Sequence, residues 1–262
     1  MTDTSPDQLE VAAPEADAVA ARALMVAALL ERAKLESSRD AARAEALVKW
    51  VEREDLLAHL GDEGEAVFSA APGSWSDDAA EAVAWTAEEL QLLLWALRRA
   101  ELPTAERAAN AGELLADVPV LGDVADFVEN AALRPPEEVD ALRALYAVLH
   151  EAVRAEVYAR AIVEDPLSLE GDEAFEELLS TVAAEGFDRA QAAAQGKAHE
   201  AIEGLRFWSR SLLGELPAEA GVKLDAPRLV ALQDEVLATL LGVTHARVEA
   251  LAWLLEGDGE DR

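Results

Sequence analysis

The stretch from Trp85 to Leu97, W-T-A-E-E-L-Q-L-L-L-W-A-L, is the most apolar helix-length run in the chain and decides its predicted fold. One helical face carries four leucines at three- and four-residue steps, namely Leu90, Leu93, Leu94 and Leu97. A neighbouring face carries three more large apolar residues, namely Trp85, Leu92 and Trp95. Because both faces are apolar, we expect this helix to be buried nearly all round. Ser76 predicts its start as a capping residue, and Pro103 predicts its end.

The composition around this stretch predicts an all-α fold. The chain has 262 residues, of which 52% are hydrophobic, and isoleucine occurs only at Ile162 and Ile202. Alanine, leucine and glutamate dominate, and these residues favour helices over strands. We therefore expect a single globular multi-helix domain of about ten helices packed around the buried central helix.

Breaker and capping residues divide the chain into segments. Residues 1–14 are polar and acidic, which predicts disorder, residues 15–256 form the helical domain, and residues 257–262 form a frayed tail. Gly242 is expected to end one helix and Thr244 to cap the last. Besides the helix that starts at Ser76, helices are predicted at about 15–36, 39–59, 62–70, 104–116, 123–132, 136–164, 175–186, 188–213, 225–241 and 244–256.

Charge is the clearest functional signal in the composition. The net charge is -31, which predicts repulsion from nucleic acids and anionic membranes and attraction to basic partners. The most acidic run, from Glu164 to Glu177, contains seven acidic residues and no basic one. The ordinary alternative is that the charge serves solubility alone.

The sequence also indicates a compartment. The chain has no cysteine and is therefore indifferent to the redox state of its compartment, but its first residues lack the basic region of a signal peptide. The apolar run from Ala18 to Leu30 is interrupted by Arg22 and is too short to span a bilayer. We expect a cytoplasmic protein that contacts neither membrane nor nucleic acid.

No motif predicts a catalytic residue, a cofactor or a metal ion. The chain lacks a nucleophile elbow, a phosphate-binding loop and a dinucleotide-binding turn. His199 and Glu203 lie one helical turn apart, but such pairs are also common on ordinary solvated helices.

Four polar residues on apolar helices are the candidate ligand-binding residues: Glu88, His150, Arg154 and Arg247. Glu88 shares a stripe with two tryptophans, and a buried carboxylate needs a cation or neutralisation. His150 and Arg154 share a stripe with Tyr146 and Tyr158 at four-residue steps. If the four candidates meet in a cleft, they bind an anion or position a base; if they meet in the core, they are structural ion pairs.

Four motifs resemble, in order, the domain of unknown function 4272 family. They are W-x-x-E-x-L-x-x-L-L-W-A-L at 85–97, L-R-P-x-E-E-V at 133–139, H-x-A-V-R at 150–154 and R-x-x-A-L-x-W-L at 247–254. The chain departs from the family at Thr86, where arginine is usual, and at Glu151, where tryptophan is usual. Residues 164–227 look like a helical insertion. The resemblance implies a helical bacterial protein with no established activity, so no catalytic residue is carried over.

These observations leave three functional hypotheses. The first is a non-enzymatic protein-binding module whose acidic surface engages a basic protein partner, as immunity proteins cover the active site of a toxin. The second is a small-ligand-binding protein or hydrolase-type enzyme that uses the four candidate residues. The third is an oligomeric structural protein closed by exposed leucine stripes on the inserted helices.

Overall fold

A computed structural model describes residues 13–102, 104–105, 107–165, 169, 172–184, 198–216 and 222–257. Within these ranges the chain forms eleven α-helices and one short 3-10 helix and no β-strand, which confirms the predicted all-α fold. The helices are α1 (Ala16–Ser38), α2 (Ala41–Arg53), α3 (Asp62–Ser69), α4 (Asp77–Ala96), α5 (Ala111–Leu115), α6 (Ala125–Glu129), α7 (Pro136–Glu164), α8 (Glu173–Ala184), α9 (Ala198–Glu215), α10 (Ala226–Ala231) and α11 (Asp234–Glu256). The 3-10 helix is Leu57–His59.

The chain divides into two compact units, a finer division than the single domain expected from sequence. Unit 1 comprises residues 1–102, 109–141 and 249–262, and unit 2 comprises residues 103–108 and 142–248. Each unit is described by itself. Residues 1–12 of the predicted disordered segment and 258–262 of the predicted tail lie outside the described residues, as do parts of 164–227.

In unit 1, the segment from Trp85 to Leu97 forms the second half of α4. The Ser76 hydroxyl accepts a hydrogen bond from the Ala79 N–H at 3.1 Å, which confirms the predicted cap. Every residue from Leu90 to Leu97 is buried. Helix α1 packs along α4 and is itself buried from Ala23 to Arg32. That all other helices surround α4 stays a prediction.

The predicted end of α4 at Pro103 is wrong. The helix ends at Ala96, and Arg98 adopts a left-handed conformation with φ of 59°. The N–H groups of Arg98 and Arg99 bond back to the carbonyls of Trp95 and Leu94 at 2.9 and 2.8 Å. This satisfies the last helical carbonyls as a C-terminal capping motif does, so the turn is complete before the proline.

Two further predicted boundaries in the first half of the chain are wrong. The helix expected from Thr104 to residue 116 is the short α5, because the Asn110 side chain accepts hydrogen bonds from the Gly112 and Glu113 N–H groups and starts the helix there. The helix expected over 39–59 ends at Arg53, and the 3-10 turn follows.

In unit 2, α7, α8 and α9 share one apolar core. Its buried residues are Ala155, Ala159, Ile162, Phe175, Leu178, Leu179, Val182, Ala201, Leu205 and Trp208. Helix α7 begins at Pro136 and ends at Glu164, as the two prolines at its start and the Asp165-Pro166 pair predict. Residues 185–197, where the helix starting at 188 was predicted to begin, lie outside the described residues.

The predicted break at Gly242 and Thr244 is also wrong. Helix α11 runs without interruption from Asp234 to Glu256, and the break lies earlier, at Leu232 and Gln233. The Thr244 hydroxyl lies 3.0 Å from the carbonyl oxygens of Leu240 and Leu241, so its polar group is satisfied inside the helix. Thr244 and Val243 are buried, and packing outweighs the weak helix propensity of glycine and threonine. None of the helices in the described ranges is long and apolar enough to cross a membrane.

Candidate functional site

A polar stripe follows one side of α7 in unit 2. Its four members, at successive four-residue steps, are Tyr146, His150, Arg154 and Tyr158. The first two contact residues of α11, and the last two contact residues of α7 and of the chain just before α8. The stripe therefore places two of the predicted site residues, His150 and Arg154, one turn apart.

Arg247, on α11, is buried at the deep end of the stripe with no exposed surface. Its guanidinium donates to the Tyr146 hydroxyl at 2.7 Å and lies 5.1 Å from the centre of the tyrosine ring. It also donates to the Arg107 carbonyl at 2.8 Å. A buried cation needs such acceptors, so these contacts have a structural explanation.

His150 is half-buried and lies beside α11. Its Nδ1 lies 3.2 Å from the Thr244 hydroxyl oxygen, which is hydrogen-bond distance. The ring of His245 lies 5.5 Å away between centroids. Burial, followed by the His245 and Arg154 charges, lowers the pKa of His150 from 6.5 to about 4. The imidazole is therefore neutral at pH 7 and is a weak general base.

The outer half of the stripe pairs with acidic residues. Arg154 donates to the Glu151 carboxylate at 2.9 Å. The pKa of Glu151 is raised above its ordinary value, chiefly because the carboxyl group is partly buried. The charge of Arg154 opposes this increase, and the nearby charge of Glu177 adds to it. Tyr158 donates to Asp172 at 3.4 Å. This half of the stripe therefore combines a half-buried ion pair with a surplus of negative charge.

Glu88, the fourth predicted site residue, belongs to unit 1. Its carboxylate is buried and accepts a hydrogen bond from the Ala109 N–H at 2.6 Å. The stripe thus links His150 and Arg154 by spacing and Arg247 through Tyr146, and Glu88 belongs to unit 1. A ligand-binding role for the four residues stays a prediction.

A second ion network in unit 2 was not predicted from the sequence. We call it the Glu156 cluster: Glu156, Arg160, Arg206 and Asp234. Arg206 binds the Glu156 carboxylate through two nitrogens, both at 3.0 Å, and Arg160 binds it at 3.1 Å and also pairs with Asp234. Glu156 is 1% exposed. The four-residue spacing of Glu156 and Arg160 was a visible signal for one of these pairs.

The metal-binding possibility at His199 and Glu203 has the following geometry. His199 Nε2 lies 3.5 Å from a Glu203 oxygen, and both side chains are exposed on α9. No group of three or more potential metal-ligating residues occurs in the described part of the chain. The pair has the geometry of two exposed polar side chains one turn apart on a helix surface.

Comparison with models of protein families gives a match. The model of a family described as "Domain of unknown function (DUF4272)" matches residues 3–174. The matched region includes α1 to α7, and the motif at 247–254 lies beyond it. No curated protein and no solved structure matches the chain.

Proposed function

Because the chain belongs to the DUF4272 family, whose description assigns no activity, we propose a function from its charge and its described surface. The protein is a non-enzymatic, cytoplasmic protein-binding module that engages a basic protein partner. The observation that carries this proposal is a set of exposed carboxylates that have no cationic partner among the described residues, which we call the acidic face. Its members are Glu164 at the end of α7 and Glu173, Glu176 and Glu177 on α8.

The negative charges of the acidic face are not balanced by basic residues on α8. All four carboxylates are exposed, and α8 contains no lysine or arginine. Among the described residues, none of the four forms an ion pair with a lysine, arginine or histidine. Glu173, Glu176 and Glu177 lie within about one turn of α8, and like charges at that spacing raise the local negative potential, which speeds encounter with a basic protein and favours it over neutral or acidic ones.

A packed helix presents this face. Phe175 lies 5.0 Å from Tyr158 between ring centroids, and Leu178 and Val182 are fully buried in the core of unit 2. The Asp172 side chain accepts a hydrogen bond from the Phe175 N–H at 2.9 Å and so caps the start of α8. A fixed helix loses little conformational entropy on binding, which leaves more of the electrostatic attraction for affinity.

The sharper form of the proposal is an immunity-like role, in which the partner is an enzyme whose basic active site the acidic face covers. Such partners bind anionic substrates, and an acidic protein surface matches their potential in the way a substrate does. This form predicts that the partner loses its activity when the protein is present in equal amount.

The proposal is tested by capturing partners from lysate with the wild-type protein and two charge-matched variants. The first replaces Glu173, Glu176 and Glu177 by glutamine, and the second replaces the exposed Glu52, Glu65 and Glu129 of unit 1. Each variant changes the net charge from -31 by three units. We expect a basic protein to be retained by the wild type and by the unit 1 variant, and to be lost from the α8 variant and at raised salt.

If both variants captured equally less of the basic protein, binding would depend on the total charge rather than on the acidic face. That result would contradict the proposal. Capture of no basic protein at low salt would contradict it as well.

The oligomer hypothesis receives no support from the leucines of the inserted segment. Five described leucines between residues 164 and 227 are buried: Leu178, Leu179, Leu205, Leu213 and Leu224. In the described part of unit 2, the exposed large apolar residues are Val163, Phe207, Val230 and Val236. Among the described residues of unit 2, these four side chains, and not a leucine stripe, offer exposed apolar surface for a dimer contact.

A further inference from the structure

A cleft of about 350 Å³ lies on unit 2 between α9 and α10. Glu156, Arg206 and Ser209 line its polar side, and Ala226, Pro227 and Val230 of α10 line its apolar side. Arg210 completes the lining one turn beyond Arg206. Its volume is within the range of small-molecule sites in proteins.

The polar side of the cleft carries a local excess of positive charge. Arg206 and Arg160 together balance Glu156, and Arg160 also balances Asp234. These four charges sum to zero, and Arg210 adds one positive charge. The whole chain has 53 acidic and 22 basic residues, so the local charge of the cleft is opposite in sign to the net charge.

Hydrogen-bond donors are available at the same place. Arg210 is exposed and forms no ion pair or side-chain hydrogen bond with any other described residue. Arg206 uses Nε and Nη2 for Glu156, which leaves Nη1 without an acceptor among the described residues. Two guanidinium groups can therefore donate to an anion, and a carboxylate matches the planar fork of arginine.

The apolar wall is both exposed and fixed. Val230 is 45% exposed. Arg160 donates to the carbonyls of Leu229, Val230 and Leu232 at 3.3, 3.1 and 2.9 Å, which satisfies the C-terminal end of α10. The Asp225 side chain accepts from the Arg228 N–H at 2.9 Å at the other end. The wall is therefore in place before a ligand arrives.

We propose that this cleft binds a small monocarboxylate with an apolar body. The carboxylate pairs with Arg210 and with Nη1 of Arg206, while the apolar body covers Val230 and Pro227. One uncompensated guanidinium balances one negative charge, whereas the overall charge of -31 disfavours ligands that carry several. This inference does not depend on the acidic face or its partner.

The test is a titration of the full chain with hexanoate, followed by protein amide chemical shifts. Hexanamide, which has the same shape without the charge, is titrated in parallel. We expect saturable hexanoate shifts with a Kd of about 1 mM, as suits a ligand of so few atoms, and much weaker hexanamide binding.

Substitutions distinguish binding in the cleft from nonspecific attraction of the hexanoate anion to exposed arginines. Arg210→Gln should weaken hexanoate binding about tenfold, because it removes the uncompensated charge. Val230→Ser should weaken binding of both hexanoate and hexanamide. Arg228→Gln is the control, since Arg228 is also an exposed arginine of unit 2 but does not line the cleft.

The proposal is overturned by any of three results. These are equal binding of hexanoate and hexanamide, an unchanged affinity in Arg210→Gln, and equal losses in Arg210→Gln and Arg228→Gln. Chemical shifts that do not saturate at hexanoate concentrations up to ten times the expected Kd would overturn it as well.

Discussion

The acidic face and the Glu156 cluster, both in unit 2, place carboxylate groups in opposite environments. The carboxylates of the acidic face are exposed and lack cations among the described residues, whereas Glu156 is 1% exposed and bound by two arginines. Exposed charge contributes little to stability and remains available for association, whereas buried charge becomes part of the scaffold. The position of a charge therefore matters more here than the total.

The largest expected effect comes from removing the buried carboxylate of Glu156. Glu156→Gln should lower the free energy of unfolding by about 3 kcal/mol, because Arg160 and Arg206 lose their shared counter-charge in a buried setting. Urea unfolding at pH 7 measures this. Glu173→Gln, which removes an exposed carboxylate of α8, is the matched control and should change stability by less than about 0.5 kcal/mol. Similar losses in the two variants would remove the distinction between the regions.

A second experiment compares two arginines that lie near the same cleft. Arg160→Gln should cost about 2 kcal/mol, because it removes bonds to Glu156, to Asp234 and to the last carbonyls of α10. Arg210→Gln should leave the free energy of unfolding nearly unchanged. Thermal or urea unfolding of both variants tests whether contacts, rather than residue type, set the stability. A destabilised Arg210→Gln would argue against an available guanidinium.

Acid should act on a third environment, the half-buried His150. Its pKa of about 4 in the folded chain lies below the ordinary 6.5, so between these values the unfolded chain binds more protons. This contribution to stability is present above pH 6.5 and is lost as the pH falls towards 4. We expect His150→Gln to reduce the loss between pH 7 and pH 4.5 by about 1–2 kcal/mol, a range discounted for partial exposure of the ring.

Many carboxylates also titrate in that window, so the wild type and the variant must be compared at each pH. His199→Gln, on an exposed part of α9, is the control and should follow the wild type. A His150→Gln curve parallel to the wild-type curve would show that burial does not govern this imidazole.

The smallest expected effect concerns the acidic face itself. Replacing Glu173, Glu176 and Glu177 by glutamine should raise stability by about 0.5 kcal/mol at low salt, since like charges repel one another. The gain should vanish at about 1 M salt, where screening is nearly complete. Unfolding at two salt concentrations measures it. A loss of stability would mean that the attraction of Glu173 and Glu176 to the N-terminal end of α8 outweighs the repulsion between the three carboxylates.

Local signals predicted the parts of the fold that local chemistry controls. Ser76 as a cap and Pro136 as the first residue of α7 lie where the sequence places them. The wrongly predicted helix boundaries occur where another local or tertiary interaction outweighs the capping or breaking residue. Arg98 completes a capping turn in a conformation that the sequence would assign to glycine, and Thr244 satisfies its hydroxyl inside a helix.

The site shows the same limit. The spacing on α7 predicted a polar stripe, and the acidic run from Glu164 predicted the acidic face. The partners of the stripe, such as Tyr146 for Arg247 and Thr244 for His150, lie about one hundred residues away and have no local signal. The same applies to Arg206, which reaches Glu156 from another helix.

The buried Trp208 gives the two units different optical properties. Of the six tryptophans, Trp208 is the one between residues 142 and 248, and the other five belong to unit 1. Trp208 is 4% exposed in the α7–α9 core, so its fluorescence should lie at short wavelength and shift to the red when that core opens. A chain that retains only this tryptophan would report the melting of unit 2 separately from that of unit 1.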